Sequence, residues 1–212
     1  MLASALSASA GYVDAVGFMM TGGFFVSFMS GNSTRLAVGL ADGAAYAALA
    51  LSLIVAFVAG VSLGAFVGRS AKERRPFAVL LLVSSLIATA AVAASAGADR
   101  LAVLVLALAM GAENTIFAEG GEVRIGLTYM TGALVKVGKG ITSALLGGDR
   151  LAWLPYLLLW LGLVIGAAIG ATAYLRLGAN ALWIAAGAMA LLAFAVAKLQ
   201  FNFAPAADPP GD

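Results

Sequence analysis

The chain has 212 residues, of which 63% are apolar and only 10% are charged, and its mean hydropathy is +1.04. Because this composition lies far outside that of soluble domains, we predict an integral membrane protein. Cysteine and histidine are both absent, which excludes disulfides, thiolate nucleophiles, His-ligated metals and histidine proton relays. We therefore expect no cofactor and no metal, and the formal charge of +2 gives no argument for nucleic acid.

Hydropathy, read against glycine, proline and charge, divides the chain into eight helical segments in two sets of four. The first set, A to D, covers residues 2–20, 24–40, 44–68 and 77–96. The second set, A′ to D′, covers residues 101–118, 125–146, 151–175 and 179–200. We predict one all-α bundle made of two membrane repeats, residues 1–98 and 99–200, followed by a disordered tail, residues 201–212.

The two sets carry the same polar motif about 100 residues apart. Ser27-Phe28-Met29-Ser30-Gly31 recurs as Thr128-Tyr129-Met130-Thr131-Gly132, and a base follows four residues after each glycine, Arg35 in the first copy and Lys136 in the second. Upstream, Gly11 and Asp14 match Gly111 and Asn114. Duplicated halves with polar breaks in membrane helices are typical of a pseudo-symmetric solute pathway whose site lies where the breaks meet.

Glycines at every fourth position also recur in the third segment of each set. Gly60, Gly64 and Gly68 match Gly162, Gly166 and Gly170. Such ladders let two helix backbones approach closely, so we interpret them as packing seams between the two halves or between protomers. A homodimer is one of the assemblies that this pattern allows.

Segments B and B′ decide the topology, because polar residues interrupt segment B at its middle. Unsatisfied backbone groups in hydrocarbon cost several kcal/mol, so a break there must be buried in protein or line water. If both segments enter the membrane and return, seven bases fall on one side of it and only Arg100 and Arg176 on the other. We therefore predict six spans plus two re-entrant or broken helices in an inverted repeat, with both termini cytoplasmic. Eight full spans, and hence a parallel repeat, is the alternative.

Two carboxylates lie within the apolar segments. Asp14 near the middle of a membrane costs at least about 2.5 to 3.5 kcal/mol, so it needs a partner or a wet cavity. We expect Arg35 to be that partner, either in a substrate or proton site or in a structural ion pair. Glu113 with Lys136 is the expected counterpart pair, although Glu113 precedes by one position the residue that matches Asp14, which is Asn114.

These motifs give the chain a resemblance to the YoaK-type membrane protein family, a domain of unknown function. The similarity rests on residues 11–18, 29–32, 110–114 and 128–132. It implies a bacterial inner-membrane protein of six or seven predicted spans with no settled activity. The family often has glutamine at the position of Glu113, and many members have histidine at the positions of Phe28 and Tyr129. These differences suggest a changed charge state at the second half's site.

The duplicated breaks favour a secondary transporter of a small polar solute across the bacterial inner membrane. A small anion, zwitterion or amino-acid-like solute fits two bases near two acids, and Asp14 or Glu113 could carry a coupling proton. A channel-like or accessory membrane protein is the alternative. An intramembrane enzyme is disfavoured, so no catalytic residue is assigned. The predicted substrate-binding residues are Asp14, Ser27, Ser30, Gly31, Asn32, Arg35, Glu113, Asn114, Thr128, Thr131, Gly132 and Lys136.

Overall fold

A computed structural model describes residues 2–116, 118–119, 122–123 and 130–202. In chain order the helices are α1 (Leu2–Thr21), α2 (Met29–Ala41), α3 (Tyr46–Ala71), α4 (Arg75–Ser95), α5 (Asp99–Glu113), α6 (Met130–Leu145), α7 (Leu154–Leu177) and α8 (Ala181–Asn202). Two 3₁₀ turns, Lys72–Arg74 and Gly178–Asn180, join α3 to α4 and α7 to α8. Between α5 and α6, β1 (Ala118–Glu119) pairs antiparallel with β2 (Glu122–Val123).

Three helical stretches in the described part of the chain are long and apolar enough to cross a membrane. They are Leu2–Thr21, Tyr46–Ser95 and Leu154–Lys198. The second and third stretches each contain two of the helices, α3 with α4 and α7 with α8. This helical architecture agrees with the membrane protein that the composition predicts.

The sequence placed two helices incorrectly. Segment B was expected to be helical from residue 24, yet α2 begins at Met29, so Ser27 precedes the helix instead of sharing a face with Ser30. Segment A′ was expected to extend to residue 118, yet α5 ends at Glu113. The predicted tail was to begin at residue 201, but α8 continues through Asn202, and residues 203–212 lie outside the described part.

The two halves interlock through their first and third helices. Helix α1 packs along α7, and α5 packs along α3, so each half's first helix lies on the other half's third helix. Helix α4 packs on both α5 and α8, whereas the shorter α2 and α6 lie on α3 and α7 respectively. The core therefore lies between the halves, and neither half encloses a core of its own.

Glycines make this interlocking possible, because they leave no side chain between the backbones. On α7, Gly166 and Gly170 lie directly against the carbonyl oxygens of Ala8 and Tyr12, where any Cβ would clash. On α3, Gly60 and Gly64 lie in the same way against Leu108 and Ala112 of α5. Apart from Gly68, which lies against Arg75 of its own half, the ladder glycines thus form seams between the two halves within one chain.

These contacts also correct how the two ladders correspond. Leu108 and Ala112 stand 100 positions after Ala8 and Tyr12, the spacing that separates Gly11 from Gly111. By its contacts Gly60 therefore corresponds to Gly166, and Gly64 to Gly170, one helical turn away from the match read in the sequence. A ladder that repeats every turn can be aligned to another in several registers, and only the packing partner identifies the right one.

Candidate functional site

The chain reverses direction after α1 at a pair of glycines. Gly22 and Gly23 adopt φ angles of 67° and 123°, which residues other than glycine rarely adopt. The following residues then run back beside α1, where the side chain of Val26 packs against Gly17 so closely that a Cβ there would meet Val26 Cγ1 at 2.6 Å. The extended segment, residues 24–27, thus lies next to the helix that precedes it.

Side chains accept a hydrogen bond from every backbone N–H of this extended segment. Phe24 N–H donates to Thr21 Oγ1 at 2.9 Å, and Phe25 N–H donates to Asn32 Oδ1 at 3.1 Å. Val26 N–H and Ser27 N–H both donate to Asp14 Oδ1, each at 2.8 Å. Asn32 Nδ2 also donates to the carbonyl of Phe25 at 2.6 Å. Non-helical backbone inside a membrane protein persists only when its polar groups find such partners. Asp14 and Asn32, both predicted to bind substrate, therefore hold this segment in place.

The predicted ion pair between Asp14 and Arg35 is absent, and this prediction was wrong. Asp14 is satisfied by the two backbone amides, a strong arrangement for a carboxylate. The guanidinium of Arg35 lies instead over the ring of Phe24, with Cζ 4.7 Å from the ring centroid. Arg35 also lies beside Gly23, with Nη2 3.0 Å from where a Cβ would stand. The base thus stabilises the chain reversal from the outside, while the acid stabilises it from α1.

The second predicted pair, Glu113 with Lys136, is also absent. Lys136 Nζ lies 4.8 Å from the centroid of the Tyr156 ring on α7. Glu113 is only 1% exposed, and neither carboxyl oxygen hydrogen-bonds to any residue of the described part of the chain. Asn114, the position that matches Asp14, donates from Nδ2 to the carbonyl of Met110 at 2.9 Å. Among the described residues, Glu113 therefore lacks the hydrogen bonds that Asp14 accepts in the first half.

The N-terminal ends of α2 and α6 meet at one cavity of about 290 Å³. Its wall consists of Ser27, Phe28, Met29, Ser30, Phe57, Met130, Thr131 and Gly132. Both copies of the duplicated motif contribute to this wall, together with one residue of α3. Phe28, the N-cap residue of α2, makes no capping hydrogen bond, so the first turn of α2 begins at the cavity without a side-chain cap.

The cavity contains some of the predicted site residues and not others. Ser27, Ser30, Thr131 and Gly132 line it, whereas Thr128 lies outside the described residues. Gly31 lies beneath Phe28, because a Cβ there would meet the ring at 2.6 Å. The sequence did not identify Phe57 and Met130 as residues of the cavity wall. It also did not identify Thr21 as the acceptor that helps to hold the chain reversal. The Gly22-Gly23 pair was the available signal for the chain reversal that brings Ser27 to this wall.

Interlocked apolar helices around a mostly apolar cavity that carries three hydroxyl residues define a multi-pass helical membrane protein. The family model described as "Protein of unknown function (DUF1275)" matches residues 2–195, so the chain belongs to that family. A curated relative, the UPF0700 transmembrane protein RA0705 of Rhizobium meliloti (strain 1021), is 39% identical over 199 residues, which cover 93% of this chain and 86% of the relative. No solved structure matches the chain. The family assignment is consistent with the YoaK-type resemblance of the motifs.

Proposed function

We propose that the protein is a secondary transporter of a small polar solute across the bacterial inner membrane. One observation carries this proposal: the duplicated motifs, far apart in sequence, line a single cavity at the N-terminal ends of two short helices. Broken helices that meet at the boundary between two repeats are where such transporters place their substrate sites. The cavity, at about 290 Å³, is of a size for a small solute.

We further propose six spans with α2 and α6 as re-entrant helices. Residues 23–27 run back along α1, and α2 then returns past them, since Asn32 lies level with Phe25 and Arg35 with Phe24. Helix α2 therefore ends on the same side of the membrane as α1, and α3, which follows it, runs in the opposite direction to α1. Following the remaining turns, α5 runs opposite to its counterpart α1, and this direction supports an inverted repeat.

The chemistry of the cavity favours a solute with a negatively charged or strongly accepting group. The first-turn N–H groups of a helix have no acceptor within the helix, and the N-terminal end carries a partial positive charge. The hydroxyls of Ser30 and Thr131 add donors on either side of the cavity. A small anion, or a zwitterion bound through its carboxylate, fits this arrangement. A coupling proton carried by Asp14 or Glu113 belongs to the same proposal.

A channel-like or accessory membrane protein is the second candidate, because a cavity with hydroxyls in its wall also serves passive flux or partner assembly. The homodimer likewise stays a prediction, but the glycine seams that suggested it are filled within one chain. Saturable, gradient-dependent uptake into liposomes separates a transporter from a channel.

The experiment begins with a thermal-shift screen of small acids, amino acids and inorganic anions on the purified protein, because a bound solute stabilises the protein by mass action. Uptake of each stabilising solute into proteoliposomes then follows. The variant S30A/T131A should lose both the shift and the uptake. Ser33→Ala is the matched control, since its exposed hydroxyl bonds to the carbonyl of Met29 and lies outside the cavity wall. Equal binding by both variants would contradict the proposed site.

The topology has its own test. Reporter fusions after Ser70 and at the C terminus should both report the cytoplasm. A C terminus outside with Ser70 inside would favour eight spans and remove the inverted repeat.

A further inference from the structure

Helix α6 presents a continuous row of mostly polar residues that begins at the cavity. Thr131, Val135, Lys139 and Ser143 recur at every fourth position, so they lie on one face of the helix, and all four are exposed. Thr131 is also part of the cavity wall. The opposite side of α6 contacts α7, where Gly140 lies against Trp153. The row therefore leads from the cavity toward the C-terminal end of α6 without being covered by another described helix.

Lipid is a poor neighbour for this row. A lysine at the centre of the hydrocarbon costs at least about 2.5 to 3.5 kcal/mol and less toward the surface, and lysines within membrane segments normally face protein or a water-filled space. Lys139 has no ion pair with a residue in the part of the chain that the structure describes. Water is the neighbour that satisfies the ammonium group and the hydroxyls together.

The polar row of α6 carries a positive charge that the equivalent row of α2 lacks. Lys136, in the neighbouring row, lies over the ring of Tyr156 and next to the path. On α2 the position that matches Lys139 is Val38, and the base that matches Lys136 is Arg35, which is only partly exposed over Phe24. The α6 side of the cavity is therefore the more positive of the two.

We propose that the polar row of α6 walls a water-filled path from the membrane surface to the cavity, and that Lys136 and Lys139 make this path selective for anionic solutes. The substrate class part of this proposal rests on the proposed transport function. The existence and the charge preference of the path do not, because both are measurable without any transported solute.

The chain contains no cysteine, so the labelling of a single introduced cysteine can be measured without a background from other thiols. Val135→Cys and Leu134→Cys form a matched pair: they are adjacent and similarly exposed, at 53% and 45%, but point to different sides of α6. Each is treated in proteoliposomes with anionic sulfonatoethyl and cationic trimethylammonioethyl methanethiosulfonate. Val135→Cys should be modified. After each rate is divided by that reagent's rate with a free thiol in solution, the anionic reagent should be about tenfold faster, since a positive path concentrates anions. Leu134→Cys, facing lipid, should stay unmodified.

Adding Lys139→Gln to Val135→Cys should remove most of the preference for the anionic reagent while leaving modification in place. Thr131→Cys repeats the measurement at the cavity end if Val135→Cys folds poorly. Three results would overturn the proposal: equal modification of Val135→Cys and Leu134→Cys, no modification of either Val135→Cys or Thr131→Cys, or equal rates for the two reagents after normalisation to a free thiol. A protein that labels as expected but takes up no solute keeps the path and rejects transport. A protein that transports but fails to label keeps transport and rejects the path.

Discussion

Asp14 and Glu113 are both carboxylates inside the helical bundle, yet the structure treats them in opposite ways. Asp14 accepts two backbone hydrogen bonds of 2.8 Å, from Val26 and Ser27. Glu113 is almost fully buried, and its oxygens have no hydrogen-bond partner among the described residues. Residue type and depth alone therefore do not reveal what a carboxylate does. Asp14 positions the extended segment through its hydrogen bonds. Burial of Glu113 costs free energy of folding, and no hydrogen bond among the described residues offsets that cost.

The largest expected effect is that of Asp14→Ala. It removes the acceptor for two adjacent amides that no water reaches easily, and hydrogen bonds to a charged group contribute about 1.5 to 3 kcal/mol each. We expect a loss of about 3 kcal/mol in the free energy of unfolding, measured by thermal or steric-trapping unfolding in bicelles. Asp42→Ala, at an exposed position, is the control and should change stability little. An unchanged stability of Asp14→Ala would show that the segment is held by other contacts.

Glu113→Met should act in the opposite direction. Replacing a buried, unpartnered polar group by an apolar one of similar shape removes a desolvation penalty of about 1 to 3 kcal/mol. The same unfolding measurement should show a gain within this range. A loss of stability would mean that Glu113 has a partner in the folded protein and would end the contrast with Asp14.

Asp14→Asn sharpens the comparison by removing charge and keeping shape. Both amides donate to the same oxygen, Oδ1, which asparagine retains. Charge-assisted hydrogen bonds are roughly twice as strong as neutral ones, so we expect a loss of about 1 kcal/mol, clearly smaller than for Asp14→Ala. Equal losses for the two substitutions would show that the charge, and not the acceptor geometry, holds the segment.

The smallest expected effect concerns Arg35. Its contact with Phe24 is a cation–π interaction, which contributes about 0.5 to 1 kcal/mol at such a site. Because Arg35 does not pair with Asp14, the effects of Arg35→Gln and Asp14→Asn should add to within about 0.5 kcal/mol in a double-mutant cycle. A double variant more stable than the sum of the single ones would restore the ion pair.

The sequence predicted most of the helices and the convergence of the two motifs, because hydropathy and internal duplication are properties of the chain itself. It missed the extended segment, since Phe24-Phe25-Val26 is apolar and fits a buried helix as well as an extended strand. It paired Asp14 with Arg35 by charge, because backbone amides, the actual donors to Asp14, are present at every residue and leave no pattern. The glycine register was wrong for a related reason: a repeat of four residues matches itself after every turn.

The interlocked packing of the halves constrains the order in which the helices can assemble. Helix α1 is synthesised well before α7, so Ala8 and Tyr12 have no contact with Gly166 and Gly170 until more than 150 further residues have been added. Until then, the carbonyl-lined face of α1 has no partner in the nascent chain. We therefore expect α1 to stay in or beside the insertion machinery until α7 arrives. A chain truncated before α7 would present that face to lipid and to quality-control proteases.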